Sequence, residues 1–88
     1  MATKRGNCSY HCYCSCQRYY DGKLQTYLQF DVVENNLNPN DFKLAAKQAI
    51  GNHPNLDYGF YDVVVCRNGE ERVFRVEKHS PVISVKNV

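Results

Sequence analysis

The sequence predicts an α+β fold of the order ββαββ(β), in which two hairpins form a four- or five-stranded sheet with one helix packed on one face. Three observations predict it. Residues 10–20 alternate strictly in character and run through Asp21-Gly22 into a second alternating stretch. Asn38-Pro39-Asn40-Asp41 opens a helical apolar pattern that stops at Gly51, and Asn68-Gly69 divides two further apolar runs. Period two marks a half-buried strand, and Asn-Gly between such runs is the strongest short-range hairpin signal.

In the first strand Tyr10, Cys12, Cys14 and Cys16 share one parity, while His11, Tyr13, Ser15, Gln17 and Tyr19 share the other. The partner strand sets Leu24, Thr26, Leu28, Phe30 and Val32 against Lys23, Gln25, Tyr27, Gln29 and Asp31. Turn length decides which faces meet, because a one-residue slip sends every side chain to the opposite face. A two-residue Asp-Gly loop places Cys14 beside Gln29 and Cys16 beside Tyr27. A three-residue Tyr20-Asp21-Gly22 loop pairs Tyr19 with Lys23 and sets Cys12, Cys14 and Cys16 opposite Phe30, Leu28 and Thr26. The second register gathers the apolar sets on one side and is the expected one. The cysteines then belong to the core.

Asn38 as cap, Pro39 at the first helical position and Asp41 in the first turn predict a helix from about Pro39 to Ile50. Its buried stripe is Phe42, Ala45, Ala46, Ala49 and Ile50, with Lys43, Lys47 and Gln48 facing water. In the second hairpin, residues 58–66 and 71–78 flank Asn68-Gly69, so Arg67 pairs with Glu70. Val65 then lies opposite Arg72, Val63 opposite Phe74, Tyr61 opposite Val76, and Val64 meets Val73 on the other face. This hairpin is apolar on both faces. A short strand over Val82–Val85, after Pro81, covers part of the excess; a dimer interface is the other way to cover it, so both monomer and homodimer are carried forward.

The economical packing of these elements is a mixed sheet with a right-handed crossover between the hairpins. Its element order resembles that of the β-grasp folds, which include ubiquitin-like modifiers, immunoglobulin-binding domains and plant-type ferredoxins. Lys86-Asn87-Val88 is not the paired glycine end of a conjugated modifier, and the cysteine spacing departs from that of iron–sulfur ferredoxins.

Composition bounds the function. The 88 residues are expected to form one domain spanning 1–88, and 43% hydrophobic with 23% charged residues describes a folded globular chain. The net charge of +2 is small for a protein that relies on phosphate neutralisation. MATKRGNCSY has no apolar run after its basic residues, and an odd cysteine count without a secretory signal predicts free thiols in a reducing, cytoplasmic setting. No membrane association is expected.

NCSYHCYCSC, residues 7–16, is the one stretch that resembles a metal site. Zinc binds sulfur at about 2.3 Å, which puts ligand sulfurs roughly 3.8 Å apart. Alternate strand residues are about 6.8 Å apart, so Cys12, Cys14 and Cys16 cannot close on one ion while extended. An irregular loop would let Cys8, His11, Cys12 and Cys14 wrap a zinc, which is the runner-up assignment. The expected cofactor is none, and the cysteines are read as small core residues. Disulfides between i and i+2 on one strand have poor geometry. Catalysis is not expected: His11 and Cys12 point to opposite faces, and no catalytic or nucleotide-binding motif is present.

The parity between the cysteines carries the functional reading. Tyr13, Tyr19, Tyr27, His11, Gln17 and Gln29 make a Tyr-rich open sheet face, with Tyr13 and Tyr27 diagonal to each other in the expected register. Rigid amphipathic tyrosines beside adaptable polar groups suit protein recognition, although tyrosine also has high strand propensity of its own. The expected function is a small non-enzymatic binding module for a protein partner, of the inhibitor or adaptor kind. The alternative is single-stranded nucleic acid stacked on the same face, aided by Arg18, Lys23, Lys4 and Arg5.

Overall fold

The computed structural model describes residues 8–53, 55–79 and 83–87. Five strands and one helix follow in the order β1 (Cys8–Tyr20), β2 (Lys23–Leu37), α1 (Phe42–Gly51), β3 (Gly59–Arg67), β4 (Glu70–Lys78) and β5 (Ile83–Asn87). They form one sheet of order β2-β1-β3-β4-β5. Every neighbouring pair is antiparallel, so the expected mixed sheet does not form. The reason lies in the crossover: α1 passes over β1 and delivers β3 to its free edge, leaving β2 and β3 parallel to each other but never paired.

The first hairpin closes on Asp21 and Gly22, at φ 51° and 77°, with Tyr20 paired to Lys23. Positive φ at both central residues is the requirement of a type I′ turn, so the loop has two residues and not three. The register then shifts between Cys16 and Gln17: Gln17 pairs with Thr26, but Cys16 pairs with Leu28, leaving Tyr27 as the extra residue of a β-bulge. Cys14 meets Phe30 and Cys12 meets Val32, two residues further along β2 than expected. The two-residue turn alone would have turned the cysteines against polar neighbours. The bulge restores the apolar match.

The second hairpin follows its expected register throughout, with Arg67 on Glu70, Val65 on Arg72, Val64 on Val73, Val63 on Phe74 and Tyr61 on Val76. Asn68 and Gly69, at φ 52° and 81°, supply the same turn geometry. β5 pairs along β4 from Ile83 to Asn87. Of the expected final strand, Val82 lies outside the described residues, as do Pro81, Lys4 and Arg5.

The helix starts later than expected. Asn38-Pro39-Asn40-Asp41 is a turn, closed by the Asp41 amide donating to the Asn38 carbonyl at 3.3 Å. Asn40 at φ 70° sits where a type II turn needs a left-handed residue, after a proline at the second position. Asp41 Oδ2 accepts from the Asn38 amide at 3.1 Å, so the carboxylate braces the turn instead of capping α1. Tyr10 ties this turn to the sheet: its hydroxyl donates to the Asn38 carbonyl at 2.5 Å and accepts from the Asp41 amide at 3.0 Å.

The expected stripe of Phe42, Ala45, Ala46, Ala49 and Ile50 is buried against the sheet. Three alanines let the helix approach closely, and the strand beneath supplies correspondingly small side chains in Cys12, Cys14 and Cys16. Cys12 Sγ lies 3.8 Å from the Ala45 carbonyl oxygen. Bulk enters around this thin centre: Phe42 packs edge-on to Tyr10 at 5.0 Å between ring centres, and Tyr61, Val63, Val65, Phe74 and Val76 complete the core. Full burial of each large apolar side chain contributes about 1.5–3 kcal/mol. Gly51 continues the close approach at the helix end, where a Cβ would stand 3.1 Å from Ile83 Cδ1.

Candidate functional site on the open sheet face

The single helix covers one side of the sheet, so the two parities of β1 have different fates. Cys12, Cys14 and Cys16 are buried beneath α1, and all five cysteines of the chain are free thiols. Burial, reinforced by the Glu34 carboxylate and neighbouring thiols, pushes Cys12 and Cys14 up to about 12. They stay protonated at neutral pH, a state that neither attacks a carbonyl nor ligates a metal. Glu34 itself is buried, and desolvation raises its carboxyl above the usual range although Asn52 Nδ2 donates to it at 3.2 Å.

The runner-up zinc ligands are not brought together. His11 projects to the opposite side from Cys12 and Cys14, stacks on Tyr13 with ring centres 4.4 Å apart and bonds Asp31 Oδ2 through Nε2 at 2.8 Å. Among the described residues no group of three His, Cys, Asp or Glu side chains is arranged to hold a metal ion. Cys8 and Cys66 are partly exposed; desolvation, with Glu71 close by, raises the Cys66 thiol, whose Sγ donates to Glu71 Oε2 at 3.6 Å.

The other parity makes an open face across all five strands. Cross-strand pairing lines residues into rows: Asp31, Tyr13, Val64 and Val73 form one, and Val33, His11, Cys66 and Glu71 the next. Below them run Gln29, Ser15, Asp62, Arg75 and Lys86, then Thr26, Gln17, Phe60, Glu77 and Ser84. Tyr13, Val33 and Val73 are 48%, 51% and 42% exposed, and Phe60, Leu24 and Tyr19 extend the apolar surface toward the tip of the first hairpin. No described element packs over these side chains. The Gln17 side chain bonds Thr26 Oγ1 at 3.2 Å, which fixes the polar neighbour of Phe60.

Of the expected site residues, His11, Tyr13, Gln17, Tyr19 and Gln29 share this face. Tyr27 and Arg18 do not. The bulge turns Tyr27 toward the helix side, where it borders a hollow with Cys16, Leu56, Asp57 and Tyr61. Arg18 has the parity of the cysteines; its guanidinium lies 4.0 Å above the Tyr27 ring and bonds Asp57 Oδ2. The expected Tyr13–Tyr27 diagonal is therefore absent, because Tyr13 pairs with Asp31. Val64, Val73 and Phe60 take its place, and the signal for them was the second hairpin being apolar on both faces.

The charge on the open face differs from that of the whole chain. Asp31, Asp62, Glu71 and Glu77 lie on it with, among the described residues, two permanent cations, Arg75 and Lys86, whereas the chain carries a net +2. Arg75 bonds Asp62 at 3.0 Å and Lys86 stands 3.7 Å from Glu77. No protein-family model matches the chain, and no curated protein or solved structure matches it.

Proposed function

We propose that the protein is a non-enzymatic binding module that engages a protein partner through the open face of its sheet, as small inhibitors and adaptors do. The observation that carries this reading is the row Tyr13–Val64–Val73, an apolar strip on three adjacent strands that no described element covers. An uncovered apolar patch rimmed by polar groups marks an interaction surface, and a rigid aromatic at its centre is a favoured anchor. Binding in place of catalysis is supported by Cys12 and Cys14, whose buried thiols are held protonated on the far side of the sheet from His11. Five free thiols also fit a reducing compartment such as the cytoplasm. No helix among the described residues is long and apolar enough to cross a membrane. Single-stranded nucleic acid is the weaker candidate, since the carboxylates on this face repel phosphate.

The test is affinity capture with the wild-type chain and with the Tyr13→Ser, Val73→Ser double variant as baits, compared by quantitative mass spectrometry. A protein retained by the first and lost by the second, at equal bait stability, supports the face. Equal recovery of every captured protein by both baits contradicts it.

A further inference from the structure

The charges of the open face are unevenly distributed along the strands. At the end nearer Phe60 each carboxylate has a cation of its own, Asp62 with Arg75 and Glu77 with Lys86. At the end nearer the Asn68-Gly69 turn, the carboxylates of Asp31 and Glu71 face no lysine or arginine among the described residues on this side of the sheet. Asp31 Oδ2 lies 2.8 Å from His11 Nε2, and the imidazole, unlike a lysine or arginine, is not a permanent cation. Glu71 accepts from the Cys66 thiol, which neutralises nothing.

These two carboxylates bracket the apolar strip. Asp31 on β2 ends the row of Tyr13, Val64 and Val73, and Glu71 on β4 ends the adjoining row of His11 and Cys66. Three strand spacings of about 4.8 Å and two residues of about 3.4 Å separate their Cα atoms by roughly 16 Å. A second copy presents the same pair of carboxylates, and the two cations described on this face, Arg75 and Lys86, are already engaged. Nucleic acid presents only negative charge.

We infer that the occupant of the open face is a cationic protein surface: an apolar ridge that covers Tyr13, Val64 and Val73, flanked by lysine or arginine side chains that reach Asp31 and Glu71. The inference rests on the open-face reading above and names the chemistry of its partner. Electrostatic complementarity of this kind steers encounter and rejects wrong partners more than it adds affinity, so it is visible as selectivity.

The experiment uses two synthetic amphipathic peptides, one of leucine and lysine and one of leucine and glutamate, titrated into the isotopically labelled full chain while backbone amide shifts are followed. The lysine peptide is expected to shift the amides of His11, Tyr13, Val64 and Val73, to weaken as salt is raised, and to lose about fivefold to tenfold in affinity on Asp31→Asn with Glu71→Gln. The glutamate peptide is expected to leave those amides in place. Equal binding of both peptides at those amides, or indifference to the double variant, overturns the cationic partner while leaving the open face as the binding surface. Shifts at those amides on raising protein concentration alone, or on adding oligothymidylate, assign the face to a second copy or to nucleic acid and overturn it too. If neither peptide moves the open-face amides, or if the shifts map to α1, the open-face reading itself fails.

Discussion

The two sides of β1 are separated by nothing more than the alternation of a strand, yet they hold opposite kinds of chemistry. Cys12, Cys14 and Cys16 face a stripe of alanines, with thiols that are buried, and Cys12 and Cys14 are raised to about 12. His11, Tyr13 and Gln17 face outward beside Cys66, Val64 and Phe60 of the next strand. The cysteines are chosen for volume: with alanine opposite, the gap between helix and sheet admits a small apolar side chain and little more. The residues that look reactive are packing, and the exposed sheet face is formed by those between them.

That contrast can be broken first from the covered side. Phe42 anchors the start of α1 against Tyr10, with the Arg72 guanidinium 4.4 Å above its ring. Phe42→Ala should cost about 3–5 kcal/mol in urea unfolding, through lost transfer energy and the cavity left behind. Tyr10→Phe keeps the packing but removes the hydroxyl that accepts from the Asp41 amide and donates to the Asn38 carbonyl. The expected loss is about 1–2 kcal/mol, with faster amide exchange in the first turn of α1.

Glu34 tests the covered side in the opposite direction. Its carboxyl is raised above 4.5 by burial, so the folded chain binds that proton more tightly than the unfolded chain. The associated stability is present below pH 4.5 and is lost as pH rises through the folded value. Glu34→Gln retains an acceptor for Asn52 and carries no charge. The variant should match wild type at acidic pH and exceed it at neutral pH, measured as the urea midpoint. The smallest effect belongs to the open face: Tyr13→Thr keeps a β-branched strand former at an exposed site and should change stability by no more than about 0.5 kcal/mol. A large loss there would mean that the face is covered in the free protein.

The sequence made the second hairpin legible in full because Asn68-Gly69 permits one turn type and the valines match in one register. It made the helix stripe legible for the same reason: only one set of positions is apolar at helical spacing. The first hairpin was legible by face but not by register. A three-residue loop and a two-residue turn followed by a bulge both bring the cysteines against apolar partners, and no residue type at Tyr27 distinguishes them. Asn38-Pro39-Asn40-Asp41 satisfies the rules for a capped helix start and for a proline turn alike, and the left-handed Asn40 decides for the turn. The same bulge explains the mixed outcome at the site. His11, Tyr13, Gln17, Tyr19 and Gln29 keep their face because the bulge inserts its extra residue at Tyr27 alone, while Tyr27 itself is turned away and Arg18 follows the parity of the cysteines. The apolar half of the face, Val64 on β3 and Val73 on β4, comes from a hairpin distant in sequence and joins Tyr13 only through the β1–β3 pairing.

Thiol accessibility tests the division between the two faces most directly. Native protein would be alkylated with iodoacetamide at neutral pH and each cysteine followed by peptide mass spectrometry against an unfolded control. Labelling should be confined to Cys8 and Cys66, with Cys12, Cys14 and Cys16 reacting only at the rate of unfolding. Alkylation of Cys12 or Cys14 as fast as Cys66 in the folded chain would contradict their place beneath the helix, and with it the assignment of function to the opposite face.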